Sequence, residues 1–340
     1  MTPPKYAEIV PPDLRGKLDF LAQVYCPLKK NFAESYKAFE KTYNETQEEK
    51  LSGFVPPVSW GKDPFYTIDD VKSPEQYPWA VTDTGYGEFF QGDFLQNPEK
   101  QSWFAPAPLP EGPIHPLYEH LSLKDPKGIF GIFGGFPYVF LLNLDQLKGK
   151  NPPRSISDLT KSEYEKTIAG GYGEEDISEI LLMEIAKEQG ERGLRSLAAN
   201  IGFTGGFQEM RSAAEGNKKN IGIYLMYQAF AEEVEKKDFL EIAWPKDPLF
   251  APLYGIYKKG PAGEQKRKAI ARFLYRPETG GAMAQAGFTH IHAEVQHPIP
   301  SWVRYRWVGW DYLYEKPLPV RVQELEKIFY NSRGSYSRLY

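Results

Sequence analysis

The sequence predicts an α/β protein of two units, and three observations carry that expectation. Apolar runs of strand length alternate with segments of helical period. The alternation stops at Asn151-Pro-Pro-Arg154 and then restarts. The 340 residues also exceed what one core fills, since single cores rarely grow beyond roughly 250–300 residues. Strands that alternate with helices imply mainly parallel sheets, with ligand sites at the carboxyl ends of the strands. No internal repeat or low-complexity segment competes with this reading.

Leu18 to Tyr25 reads as a short buried strand, followed at Pro27 by a helix whose apolar face is Phe32, Tyr36, Phe39 and Tyr43. Gln47 to Tyr77 is polar and proline-rich, hence a surface excursion. Pro78 to Gly85 is a second strand and Tyr86 to Leu95 a helix. Gln101 to Pro116 is loop, and Gly128 to Leu144 holds two extended pieces interrupted by Gly134, Gly135 and Pro137. Ser157 is placed to cap a short helix. In the second half, Lys166 to Gly173 is a strand and turn, and Asp176 to Gln189 a helix with Ile177, Ile180, Leu181 and Ile185 on one side. Phe207 to Glu215 is a helix, Asn220 to Tyr227 a strand, and Phe230 to Lys237 a helix. Phe239 to Pro245 and Ala251 to Gly260 are strands. Lys266 to Leu274 is an amphipathic helix with a basic outer side, and Gln323 to Phe329 is a shorter one.

The net charge of −4 with scattered Lys and Arg argues against nucleic acid, whose binding leans on clustered phosphate contacts. No apolar run approaches the roughly 18 residues of a membrane span. Cys26 is the only cysteine, which excludes an intrachain disulfide and a paired-cysteine zinc site. The aromatic content of 15% fits either a core or the aromatic walls of a binding site. No basic stretch followed by an apolar one opens the chain, so it is expected to be periplasmic or surface-exposed if a signal peptide was removed, and cytoplasmic if complete as given.

No nucleophile elbow, Walker loop or zincin motif is present. Gly170-Gly171-Tyr172-Gly173 lacks dinucleotide-loop spacing, and Glu174, Glu175 and Asp176 would repel a pyrophosphate. His290 and His292 are spaced to share one face of an extended strand, where Glu294 or His297 could complete a metal site; the other reading is a solvated loop. Cys26 stands at a helix start, where backbone N–H groups favour a thiolate, or it is a small inert residue. Gly85-Tyr86-Gly87, Gly171-Tyr172-Gly173 and the strand end at Tyr224 and Tyr227 repeat that strand-to-helix geometry, and glycine there lets backbone approach a ligand.

Several stretches together resemble one family. They are the opening Leu21–Asn44, the crossover Pro137–Leu159, the segment Lys166–Ile201 followed by Asn220–Tyr227, the return Glu241–Gly260, and Arg272–Phe288 with Trp307–Tyr312. Their order is similar to that of the iron(III)/anion branch of type 2 periplasmic substrate-binding proteins of ATP-binding-cassette importers, over most of the chain. The resemblance implies one lobe from residues 1–143 and 250–340, another from 144–249, crossover strands as hinges, and a ligand held in the cleft by closure. It implies capture of a small ligand (an organic anion, an oxyanion, a metal ion or its chelate), no catalysis and no cofactor, with an importer permease as partner. Candidate contacts are Tyr25, Cys26, Pro27, Tyr86, Gly87, Tyr172, Gly173, Asp176, Tyr224, Tyr227, Trp244 and Asp247. Tyrosines and Trp244 would supply walls and hydroxyls, and Asp176 or Asp247 would meet a cationic group. The family's adjacent tyrosine pair is missing in the sequence. The alternatives are an enzyme on a similar scaffold using Cys26, and a cytoplasmic ligand sensor or carrier.

Overall fold

The computed structural model describes residues 17–56, 73–90, 94–171 and 177–333. In chain order the elements are β1 (Phe20–Ala22), α1 (Cys26–Thr46), β2 (Gly53–Phe54), β3 (Ala80–Thr84), α2 (Pro98–Gln101), β4 (Phe104–Ala105) and β5 (Gly131–Asn143). Next come α3 (Leu144–Leu147), β6 (Ile168–Ala169), α4 (Glu179–Asn200), β7 (Ile201–Phe203), α5 (Phe207–Glu215), β8 (Ile223–Tyr227), α6 (Gln228–Ala231) and β9 (Leu240–Ala243). The chain continues with β10 (Phe250–Lys258), α7 (Glu264–Tyr275), α8 (Pro277–Ala284), β11 (Thr289–His290), α9 (Gly309–Glu315) and α10 (Leu318–Arg333). No helix among the described residues is long and apolar enough to cross a membrane.

Two compact units result. The first takes the chain up to Phe136, Ala251–Pro298 and Gly309–Pro319; the second takes Pro137–Phe250, Ile299–Val308 and the residues from Val320. In the first unit β1 pairs parallel with β2 and β3, and β3 pairs antiparallel with β10. Its core is aromatic. Phe20, Phe32, Tyr36 and Phe273 meet at ring separations of 5.0–6.3 Å, while Phe90, Phe130, Tyr254 and Trp310 form a second cluster. In the second unit β6 lies parallel between β7 and β8, and β5 pairs antiparallel with β8 and β9. Both sheets are therefore mixed, with parallel pairs in each.

Several elements differ from the sequence expectation for identifiable reasons. Tyr86 to Leu95 holds two short 3-10 turns, Glu88–Phe90 and Phe94–Gln96, because Phe89, Phe90 and Phe94 are all buried in the core rather than on one helical face. β5 is one strand. A Cβ on Gly134 would lie 2.2 Å from the Thr289 carbonyl, so this glycine permits close pairing with β11 rather than a break. Ser155, not Ser157, caps the next short helix, through a capping box with Asp158. α4 runs past Gln189: Gly190 takes φ 63°, and the helix resumes because Leu194, Leu197 and Ala198 continue the buried face. The helix after β8 starts at Gln228 and ends at Ala231, earlier and shorter than expected.

Arg306 organises charge in the second unit. Its guanidinium lies 2.6 Å from Glu188, 3.4 Å from Asp247 and 3.8 Å from Glu184, and it donates to Ser157 Oγ at 3.0 Å. Asp247 also accepts from the Ile156 N–H at 3.0 Å. Burial raises the pKa of the Asp247 carboxyl above its ordinary value and pushes that of Glu184 up to about 7.

Candidate functional site

In the first unit the parallel strands β1 and β3 end beside one another, and the chain leaves each at a turn. β1 leads to Tyr25, the N-cap of the 21-residue helix α1. No side chain caps this end, no carboxylate stands in its first turn, and Pro27 fits the helix start because the first N–H groups have no intrahelical acceptor. The positive end of the helix dipole is thus uncompensated by a capping side chain or an acidic residue of its first turn. Cys26, the first helical residue, is exposed. The Tyr25 ring packs edge-on against Phe136 at 4.7 Å. Its hydroxyl lies over the turn after β3: a Cβ on Gly85, which takes φ +63°, would sit 3.9 Å from it.

Gly87 is a close-approach glycine. A Cβ there would lie 2.4 Å from Asp83 Oδ2. The buried Asp83 carboxylate accepts from the Thr84 N–H at 2.7 Å and from the Tyr254 hydroxyl at 3.0 Å. Tyr86, expected as a wall, instead puts its ring into the core, edge-on to Phe90 at 5.3 Å. The first unit therefore gathers Tyr25, Cys26, Pro27 and Gly85 at one place, with Gly87 serving Asp83.

In the second unit the parallel strands β6, β7 and β8 bring their carboxyl ends together. The period of two along β8 separates the two tyrosines read there as a pair. Tyr224 is fully buried in the cluster of Val139, Leu141, Met210 and Met226, and burial pushes its phenol well above the ordinary range. Tyr227 points to the other face. Its hydroxyl accepts from Tyr138 at 3.1 Å, and Tyr138 shares a hydrogen bond with Ser178 Oγ at 3.3 Å. Tyr138 is cross-strand partner to Tyr227, so two tyrosines distant in sequence meet in space. Phe230 lies 5.6 Å from the Tyr227 ring and stacks on Phe207 at 4.2 Å. Phe207 opens α5, whose N-cap Gly206 also offers no side chain.

Trp244 packs against the Tyr224 cluster, and Asp247 serves Ile156 and Arg306, so both have contacts that support the fold. Tyr172, Gly173 and Asp176 lie outside the described residues. The metal reading of His290 and His292 meets a different geometry. β11 is two residues long, and His290 is fully buried with Nε2 on the Leu274 carbonyl at 2.8 Å and Nδ1 accepting from the His292 N–H at 3.1 Å. Both ring nitrogens are engaged, and burial pushes its pKa down to about 4. No group of three metal-ligating side chains occurs among the described residues.

Sequence reasoning missed Tyr138, Ser178, Phe207 and Phe230. Ser178 carried an N-cap signal before an apolar helix, and the Thr204-Gly205-Gly206 run before Phe207 marked an open helix start. Tyr138 sits inside an apolar run and gave no signal.

The family model described as bacterial extracellular solute-binding protein matches residues 79–316, more than two thirds of the chain. The chain belongs to that family. Solved structures agree in fold. A Bordetella ferric binding protein superposes with a TM-score of 0.64 at 11% identity, covering 94% of this chain and 99% of its own. A spermidine/putrescine ABC transporter substrate-binding protein from Streptococcus pneumoniae gives 0.57 at 14% identity, covering 93% and 99%. A periplasmic binding protein from Actinobacillus pleuropneumoniae with fructose-6-phosphate bound gives 0.57 at 16% identity, covering 93% and 98%. No curated protein matches the sequence. The two-lobed fold of type 2 periplasmic binding proteins, expected from segment order, is thus the fold of this solute-binding protein.

Proposed function

We propose that this solute-binding protein captures a small organic anion, an oxyanion or the metal chelate of one, delivers it to an importer permease outside the cytoplasm, and does not transform it. The observation that carries the anionic reading is the uncapped N-terminus of α1, which abuts the Gly85 turn under the Tyr25 hydroxyl. A long helix ordinarily recruits Ser, Thr, Asp or Asn to this position; Tyr25, whose side chain does not cap the helix, stands there instead. The second unit supplies hydroxyls at the buried Tyr227, Tyr138 and Ser178 and aromatic rings at Phe230 and Phe207, a mixture suited to orienting an oxygen-rich solute.

The named neighbours bind cargo as different as ferric iron, a polyamine and a sugar phosphate, so the fold alone selects no ligand. Native mass spectrometry of the purified protein, followed by titration calorimetry against organic anions, oxyanions, their iron chelates and polyamines, tests the proposal. Saturable binding of an anion or chelate with unchanged ligand recovered afterwards supports it. Preferential binding of a polyamine, or recovery of a converted product, contradicts it.

A further inference from the structure

The first unit carries a cavity that the proposed capture does not use. Its volume is about 520 Å³, within the range of about 300–1,000 Å³ typical of small-molecule sites. It lies between the proline-rich loop that carries Leu109 and the junction of α7 with α8, and none of its lining residues belongs to the Tyr25 or Tyr227 sets. Two kinds of surface meet there. Leu109, Ala271, Tyr275 and Pro277 form an apolar wall, and Leu109 is 66% exposed, a large apolar side chain left in water. Lys268 and Arg272, one turn apart on α7, and Arg276, at the junction with α8, add three cations to the lining.

The lining carries three cations and one carboxylate, Glu111, and the carboxylates of Glu264 and Glu278 approach Lys268 and Arg276 from outside it. Arg276 is fixed: it donates to Ser35 and Thr279 and lies over Phe39 and Phe273. Lys268 and Arg272 are 55% and 72% exposed, and their partners Glu264 and Glu111 are 56% and 85% exposed. Such solvent-exposed pairs hold their members weakly, so a ligand anion competes for both.

We infer that this cavity is a binding site for a small amphiphilic anion, an aromatic or aliphatic body bearing a carboxylate, sulfonate or phosphate. The apolar wall takes the body, and Lys268 and Arg272 take the charge. A bare inorganic anion would leave the wall in contact with water and gain only the cationic half of the site. This site is independent of the capture reading, so either can fail alone.

Fluorescence titration with anilinonaphthalene sulfonate tests it. The wild type is expected to show saturable emission at one equivalent, retained in the Tyr25→Phe/Tyr227→Phe double variant. Lys268→Glu/Arg272→Glu should bind at least about tenfold more weakly, since both charge-assisted contacts are removed and replaced by repulsion. Leu109→Ser, at an exposed position, should weaken binding without touching the charges; circular dichroism melts establish that each variant folds. Unchanged binding in both cavity variants, loss of binding in the tyrosine variant, or displacement of the probe by equimolar inorganic phosphate would each overturn the assignment.

Discussion

Glu184 lies on α4 with its side chain 5% exposed, 3.8 Å from Arg306, and its Oε1 is buried without a hydrogen-bond partner. Desolvation dominates; Arg306 and Lys187 pull the other way, and the carboxyl stands at about 7 rather than the ordinary 4.5. Below pH 4.5 the group is protonated in both the folded and unfolded chain, and its burial carries no ionic penalty. As pH rises to 7 the unfolded chain releases the proton first, so the folded state loses about 3 kcal/mol of relative stability. Glu184→Gln removes the ionisation and keeps the shape. The variant is therefore expected to match the wild type near pH 4.5 and to exceed it by about 1–3 kcal/mol at pH 8, part of the gain being offset by the buried amide. Urea unfolding followed by tryptophan fluorescence reads the second unit through Trp244, Trp302 and Trp307 and the first through Trp79, Trp103 and Trp310. The difference between the two proteins isolates this carboxyl, because other groups titrate alike in both. A variant that loses stability equally at pH 4.5 and pH 8 would refute the reasoning and show an ionised Glu184 held by Arg306.

Asp125 is buried and accepts four hydrogen bonds, from the N–H groups of Lys127, Ile129 and Phe130 and from the Tyr314 hydroxyl at 2.8 Å. Asp125→Ala leaves those donors unmatched and should cost about 3–5 kcal/mol in the first unit, against about 1 kcal/mol for Tyr314→Phe, read by thermal melts. Gly134→Ala forces the Thr289 carbonyl away and should destabilise by about 3 kcal/mol, with faster amide exchange along β11. Burial holds the pKa of His290 and His297 at about 4, below the ordinary 6.5. Their contribution is complete above pH 6.5 and is lost as pH falls through 4; replacing His297 with Asn should flatten the acid limb of a stability profile. The exposed Cys26 stands at the start of α1, so bound solute should slow its alkylation and a bulky maleimide should block binding.

Much of the fold could be read from periodicity because core contacts there repeat along the chain. The face of Ile177, Ile180, Leu181 and Ile185 is buried as spaced, and Phe207 to Glu215 is helical as read. Readings went astray where tertiary contacts outweigh local signals. The helix read as ending at Gln189 continues because the buried leucines beyond Gly190 restore it, and Gly134 looked like a break when it marks close strand pairing. The site was legible only in part. Tyr25 and Gly85 stood out as strand-to-helix turns. Tyr138 could not, since only the register of β5 on β8 brings it to Tyr227, and Tyr224 was drawn in by proximity although strand alternation sends it to the core.

The most direct test of solute capture is a calorimetric comparison of the wild type, Tyr25→Phe, Tyr227→Phe and the double variant, with the ligand released from the native protein. Each tyrosine hydroxyl is expected to account for about 0.5–1.5 kcal/mol, so each single variant should bind roughly two- to tenfold more weakly and the double variant more weakly than either. Affinity unchanged by either substitution, with all four proteins folded, would contradict the assignment of these residues to the binding site.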